Sequence, residues 1–174
     1  LPSLIMAGVP ACLRLSPTHG VDAEAPFSLG DSSLPATFLE LMDDAGREAL
    51  GIADEPDPRE PAEIREQYTT AIPIGTALAQ SWNPALAEQL GDVVGAEMER
   101  FGIHLWLAPA FNLHRSVLCG RNFEYLSEDP LLAGRLAAAI TRGVQTHPGR
   151  GVTIKHLACN NQETNRLNSN SRVS

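Results

Sequence analysis

The feature that most constrains the fold of this sequence is an alternation of short apolar runs with amphipathic helix patterns. One helix is predicted from Asn83 and Pro84, a side-chain cap and a proline at the first helical position, to Gly102. A second is predicted from Asp129 and Pro130 to Pro148. The apolar runs at residues 4–6, 103–108 and 152–154 are predicted strands. Strands that alternate with helices pair in parallel, so the predicted fold class is α/β with a parallel sheet.

Each helix has apolar residues that recur on one face, and this face is predicted to be buried. In the first helix they are Leu86, Leu90, Val93, Val94 and Phe101, and in the second Leu132, Leu136, Ile140 and Val144.

Residues 16–70 differ from the rest of the chain, because they hold many of the prolines and most of the charge. They predict a long insertion or excursion, with weak helical patterns at residues 38–50 and 62–68. Ten acidic and three basic residues lie between Glu40 and Glu66, a local charge of −7 within the chain's net −8. The acidic balance argues against nucleic acid as a partner.

No apolar run approaches the roughly 20 residues that span a bilayer, so no membrane helix is predicted.

The cysteines Cys12, Cys119 and Cys159 are odd in number and irregularly spaced. This fits neither a disulfide framework nor a zinc site, and favours free thiols in a reducing compartment such as the cytoplasm. The chain begins with Leu1 and shows no basic-then-apolar leader, so we expect the true start and any targeting segment to lie upstream or to have been removed.

Two polar segments follow predicted strands, where α/β proteins build their sites. Residues 119–130, CGRNFEYLSEDP, predict either an active-site loop in which Arg121 binds ligand or a solvated loop in which Asp129 caps the next helix. Residues 155–166, KHLACNNQETNR, mix fixed charges with amides and hydroxyls, which suits a polyhydroxylated ligand such as a sugar. The alternative is the start of a polar helix in which Lys155 pairs with a carboxylate.

Four strings of this sequence resemble glycoside hydrolase family 3, which contains many bacterial and fungal β-glucosidases. They are TAIPIGTALAQSWN, LAPAFNLHR, GRNFEYLSEDP and TIKHLACNNQETNR. The resemblance covers most of residues 71–174, with a shorter match in residues 1–15. The resemblance implies a (β/α)8 TIM-type barrel, here partial and truncated before completion, followed by a second α/β domain. It also implies retaining hydrolysis of terminal β-D-glucosyl or related residues, with a glycoside as the partner and no metal or organic cofactor.

The resemblance assigns sugar binding in the subsite next to the scissile bond to Arg121, Lys155, His156 and Arg166. It places the nucleophile and the acid/base beyond Ser174, so this fragment alone is expected to be inactive. Glu124 and Glu163 are therefore not expected to form the catalytic pair.

Two positions depart from the family pattern. Gly8 stands where the family has an aspartate that binds the sugar, in a stretch that here reads GVPACLR. Leu157 stands where an aromatic residue is usual. The alternative interpretation is therefore a non-catalytic carbohydrate-binding or sensing protein that keeps a degenerate glycosidase barrel.

Overall fold

The computed structural model describes residues 4–8, 13, 15, 18–21, 63–66 and 68–172. The chain divides into two compact units, one made of Leu1–Arg14 with Thr69–Ser174 and the other of Leu15–Tyr68. Along the chain the described helices and strands are β1 (Met6–Ala7), β2 (Thr18–Val21), β3 (Glu63–Glu66), α1 (Gly75–Ala79), α2 (Pro84–Arg100), β4 (Leu105–Trp106), α3 (Pro130–Gln145) and β5 (Gly151–Val152).

The second unit contains an antiparallel pair formed by β2 and β3, in which Thr18 is opposite Glu66 and Val21 opposite Glu63. The helix predicted from the weak pattern at residues 62–68 is therefore wrong. These residues include β3, which forms its hydrogen bonds with β2, a strand distant in the sequence. The pattern at residues 38–50 lies outside the described residues. The assignment of residues 16–70 to an insertion stays a prediction, and so does that of residues 71–174 to core βα units.

The first unit is built on a parallel sheet with the strand order β1, β4, β5. Leu105 is opposite Met6 on one side and Gly151 on the other. The predicted α/β class with a parallel sheet is confirmed, although each strand has only two residues. The strand predicted at residues 152–154 is confirmed at Val152, in β5, but its predicted burial is wrong. Val152 is half-buried and Ile154 is 47% exposed, because β5 pairs only with β4 in the described sheet.

Both long helices begin where their caps predict. Asn83 Oδ1 accepts hydrogen bonds from the backbone N–H groups of Ala85 and Leu86 at 3.0 and 3.2 Å. Asp129 Oδ1 accepts one from the N–H of Leu132 at 2.8 Å, so Asp129 caps α3 as the structural interpretation predicted. Within the described parts of the chain, no helix is long and apolar enough to cross a membrane.

The buried face of α2 agrees with the predicted one only in part, at Val94. Leu86 and Val93 are 43% and 45% exposed, and the buried residues are Ala87, Gly91, Val94, Gly95 and Met98. The reason is the close approach of α3: a Cβ added at Gly91 would overlap the carbonyl oxygen of Ile140. Small residues thus set this helix contact, whereas α3 buries Leu136, Ile140 and Val144 as predicted.

Candidate functional site

The site lies at the carboxyl edge of the parallel sheet, where three loops come together. After β4 the chain continues to Ala110, which forms isolated parallel bridges with Tyr125 and with Lys155. The N–H of Phe111 donates to the carbonyl oxygen of Lys155 at 2.9 Å, and the N–H of Lys155 donates to that of Pro109 at 3.1 Å. The two polar segments of the sequence are therefore brought together on either side of Ala110.

Glu124 is the centre of the charged part of the site. Its side chain is 2% exposed, and its Oε1 forms an ion pair with Nη2 of Arg121. Its Oε2 lies 3.5 Å from Nζ of Lys155. Arg121 and Lys155 thus share one buried carboxylate, and about a fifth of each cationic side chain remains exposed, at 22% and 21%. Since both oxygens of Glu124 face cations, this carboxylate orients its neighbours and is not free to act on a ligand.

The loop that carries Glu124 is held by the helix α1. The hydroxyl of Thr76 donates to the carbonyl oxygens of Asn122 and Tyr125 at 2.8 and 3.0 Å, at the two ends of a 3₁₀ turn (Asn122–Glu124). A Cβ added at Gly75 would overlap the carbonyl oxygen of Glu124, so glycine permits the close approach.

His156 lies next to the charged pair and is held by neutral groups. Oδ1 of Asn112 is 2.9 Å from the backbone nitrogen of His156 and 3.0 Å from its Nδ1. The Tyr125 hydroxyl is 3.5 Å from Nδ1, and the two rings meet edge to face. Burial, with the nearby charges of Arg121 and Lys155, lowers the pKa of His156 below its ordinary value. This shift favours the neutral form of the His156 ring.

Tyr125 is fully buried beneath this part of the site. Its hydroxyl donates to the carbonyl oxygen of Asn160 at 2.7 Å and accepts from Nδ2 of the same residue at 2.9 Å. Burial raises the pKa of Tyr125, so its hydroxyl stays protonated. Tyr125 therefore ties the segment after β5 to the segment after β4.

Arg166 occupies the outer part of the site. Its Nη1 is 2.9 Å from Oε2 of Glu163, and its side chain is 50% exposed. Its charge is the smallest of the contributions that shift the pKa of His156. The structure thus brings Arg121 and Lys155 into one ion-pair cluster and places His156 beside it, while Arg166 is held by a different carboxylate.

Three residues of the site were not singled out from the sequence: Asn112, Tyr125 and Asn160. Asn112 is 8% exposed and occurs in the segment that follows β4, where polar residues that come after a strand signal a site. A cavity of about 300 Å³ opens beside His156, with Asn112, Phe111 and Pro130 among its lining residues.

Gly8 follows β1 at the same edge of the sheet, and an added Cβ would lie 3.4 Å from Cδ1 of Leu107. In the stretch of residues 8–14, Gly8 and Leu13 are described, and the other positions lie outside the described residues. Leu157, the second departure, is fully exposed.

Cys119 and Cys159 are free thiols, and Cys12 lies outside the described residues. Among the residues that the structure describes, no group of three or more histidine, cysteine, aspartate or glutamate side chains is arranged to hold a metal ion.

Comparisons with known proteins identify relatives of this chain. The chain is 51% identical over 106 residues to beta-glucosidase A of Butyrivibrio fibrisolvens, which is 61% of this chain and 13% of that protein. It is 44% identical over 105 residues to an exo-alpha-(1->6)-L-arabinopyranosidase of Bifidobacterium longum, covering 60% of this chain and 14% of the relative. The chain thus spans about a seventh of the length of these curated relatives.

A solved structure extends the likeness to almost the whole chain. Beta-glucosidase 3B from Thermotoga neapolitana in complex with alpha-D-glucose matches with a TM-score of 0.66 and 37% sequence identity, over 95% of this chain and 17% of that protein. The family model for the N-terminal domain of glycosyl hydrolase family 3 matches residues 61–170, more than half of the chain. The chain therefore belongs to glycosyl hydrolase family 3.

Proposed function

We propose that the protein that carries this chain is a retaining exo-acting glycosidase, most specifically a β-glucosidase, and that this chain supplies sugar-binding residues of its active site. The observation that carries the proposal is the pairing of Arg121 and Lys155 on the buried carboxylate of Glu124, with neutral His156 beside them. A hydroxyl group can both donate and accept hydrogen bonds, and the cluster offers cationic donors next to an imidazole. Membership of glycosyl hydrolase family 3 supports the same reading.

In this proposal Arg121, Lys155, His156 and Arg166 bind sugar hydroxyls in the subsite next to the scissile bond. The chain forms part of a (β/α)8 barrel that residues beyond it complete, and those residues include the catalytic nucleophile and the acid/base. The ion pairs on both oxygens of Glu124 support its exclusion from the catalytic pair, because a nucleophile or a general acid needs an oxygen free to meet the substrate. The exclusion of Glu163 rests on the family resemblance. The chain alone is then inactive.

The sugar is a β-D-glucopyranosyl residue in the first instance, since two of the relatives named above are beta-glucosidases. The Bifidobacterium longum relative acts on an L-arabinopyranoside by its name, which makes a second pyranoside worth testing.

The experiment is steady-state hydrolysis of an aryl β-D-glucopyranoside and an aryl α-L-arabinopyranoside by the full-length protein. Arg121→Ala and Lys155→Ala should each lower kcat/KM by about 10- to 150-fold, because each removes a charge-assisted hydrogen bond of about 1.5–3 kcal/mol. Arg142→Ala is the matched control, since Arg142 pairs with Glu88 on the exposed side of the helices α2 and α3 and should leave kcat/KM unchanged. Unchanged kinetics with a lower melting temperature in the Arg121 and Lys155 variants would mark both residues as structural.

The second candidate function is a non-catalytic carbohydrate-binding or sensing protein, and Gly8 is the observation that favours it. Without the family's aspartate at this position, the protein could keep the barrel and lose turnover. Binding of glucose measured by calorimetry, together with no hydrolysis of either substrate, would support the binder. Release of the β-anomer as the first product would support the retaining enzyme.

A further inference from the structure

The amide of Asn112 has a fixed orientation, because one of its contacts is with a group that can only donate. The backbone N–H of His156 is such a group, and it lies 2.9 Å from the amide atom that faces it. That atom must therefore be the oxygen Oδ1, since the amide nitrogen could offer only hydrogens. The same Oδ1 lies 3.0 Å from Nδ1 of the His156 ring, so a hydrogen bond there requires a proton on Nδ1.

The Tyr125 hydroxyl, the second polar neighbour of Nδ1, favours the same tautomer. Its single proton is donated to the carbonyl oxygen of Asn160 at 2.7 Å, so it has none to offer to Nδ1 of His156 at 3.5 Å. It can only present a lone pair to that nitrogen. Both polar neighbours of Nδ1 are thus acceptors, and both favour the Nδ1–H form.

We propose that Asn112 is a positioning residue that fixes His156 as the Nδ1–H tautomer and leaves its Nε2 as a hydrogen-bond acceptor for the ligand. The inference rests on the proposed function in one respect, that the ligand is a sugar. Within the part of the chain that the structure describes, Nε2 has no hydrogen-bond partner, and His156 lines the cavity beside the site.

In this proposal, the residues of the site differ in their hydrogen-bonding roles. Arg121 and Lys155 can only donate hydrogen bonds, whereas Nε2 of neutral His156 can only accept one. The hydroxyl that faces His156 must therefore be the donor. A substrate in which fluorine replaces that hydroxyl keeps an acceptor of similar size but has no hydrogen to give, so it should bind no better than the deoxy sugar.

The first test reads the tautomer directly and does not depend on activity. Solid-state NMR of the full-length protein with ¹⁵N-labelled histidine rings distinguishes protonated from unprotonated ring nitrogens, and the His156→Gln variant assigns the signals. We expect Nδ1 of His156 to be protonated and Nε2 to be bare in the wild type at pH 7. A proton on Nε2 in the wild-type spectrum would overturn the proposal, whatever the variants do.

Variants then test whether Asn112 determines the tautomer of His156. Asn112→Ala should raise the fraction of His156 that carries its proton on Nε2. Asn161→Ala is the matched control: it removes another amide of the same site, whose Nδ2 donates to the carbonyl oxygen of Leu113 at 2.6 Å, and it should leave the tautomer unchanged. If Asn112→Ala leaves the wild-type tautomer unchanged, Asn112 is not the positioning residue. Should this buried variant fail to fold, Asn112→Leu removes the same acceptor and keeps a side chain of similar shape.

The second test connects the tautomer to ligand choice. Across a series of deoxy and deoxyfluoro glucosides, one ring position should show an equal loss of about five- to tenfold in kcat/KM for both substitutions in the wild type, relative to the parent glucoside. In His156→Ala that loss should disappear at the same position. A fluoro sugar that recovers activity at the position sensitive to His156 would show that the ring donates, and would refute the acceptor role. Absence of all turnover would count against the proposed enzyme and leave the NMR result to decide the tautomer.

Discussion

Nζ of Lys155 lies 3.5 Å from Oε2 of Glu124, a carboxylate whose side chain is 2% exposed and whose other oxygen pairs with Arg121. The two residues are 31 positions apart in the sequence and meet because their loops flank Ala110. A buried carboxylate between two cations holds both in place before any ligand arrives. In the proposed sugar-binding role, this preorganisation would reduce the entropy that the site loses on binding.

The first prediction concerns that carboxylate. Glu124→Gln removes one charge from a buried cluster and leaves two cations without their partner, so it should lower the free energy of unfolding by about 3 kcal/mol. Glu88→Gln is the control, because it breaks an Arg–Glu pair whose side chains are 58% and 45% exposed. Such a pair contributes about 0–1 kcal/mol. Denaturant unfolding of both variants measures the difference, and equal losses would contradict the central role of Glu124.

The second prediction concerns the contact between α2 and α3. A Cβ added at Gly143 would overlap the carbonyl oxygen of Glu88, which belongs to the backbone and cannot move aside cheaply. Gly143→Ala should therefore destabilise the protein by about 1–3 kcal/mol. Gly134→Ala lies on the same helix with no atom within 4 Å of the added Cβ, and should stabilise it by about 0.5–1 kcal/mol. Thermal unfolding of the two variants should give melting temperatures on opposite sides of the wild type.

The third prediction is a pH dependence at His147, which joins the same two helices. Its Nε2 is 3.0 Å from Oδ1 of Asp92 and its Nδ1 is 3.2 Å from Oε2 of Glu99. Only the protonated ring can donate to both carboxylates, and hydrogen bonds to them, first to Glu99, raise the pKa of His147. The folded state thus holds this proton more tightly than the unfolded one. The stabilisation is fully present below about pH 6.5, the unfolded pKa, and is lost as pH rises through the higher folded pKa.

Unfolding free energies of the wild type and His147→Gln, measured across this pH range, test the prediction. The wild type should be the more stable protein at low pH, and its advantage should shrink as the solution becomes alkaline. A constant difference would show that His147 acts by packing, since a Cβ added at Gly95 would already overlap its ring.

The fourth prediction concerns Gly8. If an aspartate there accepts hydrogen bonds from two sugar hydroxyls, its absence removes about 3–6 kcal/mol of transition-state binding, or on the order of 10² to 10⁴ in kcat/KM. Gly8→Asp combined with Val9→Gly should then raise kcat/KM for an aryl β-glucoside by at least about tenfold. Atoms of the Leu107 side chain lie 3.4–3.9 Å from the added Cβ, so the substitution meets ordinary contacts.

The control for this double variant is a substrate that lacks the two hydroxyls that would bond to the aspartate. Its kcat/KM should not rise. If the wild type already works at ordinary glycosidase rates, or the variant gains nothing, another residue has taken over the role of the aspartate. The alignment of residues 1–15 with the family would then not indicate which residues bind the sugar.

The sequence predicted the helix boundaries because short-range interactions decide them. The side chains of Asn83 and Asp129 bond to N–H groups two or three residues away, and the proline after each favours the helical conformation. The alternation of strands and helices likewise predicted the parallel sheet. The family strings located Arg121, Lys155, His156 and Arg166, and their sugar-binding role stays a prediction.

The tertiary structure decided what depends on distant partners. The buried face of α2 was predicted only in part: Val94 is buried as expected, but apolar periodicity does not show that α3 approaches closely enough to require Gly91 and Gly95. The pairing of Glu124 with Lys155 and the contact of Asn112 with His156, 44 residues apart, depend on how three loops meet around Ala110. Local sequence sets the conformation of each segment, but long-range pairing across the sheet determines which side chains face each other.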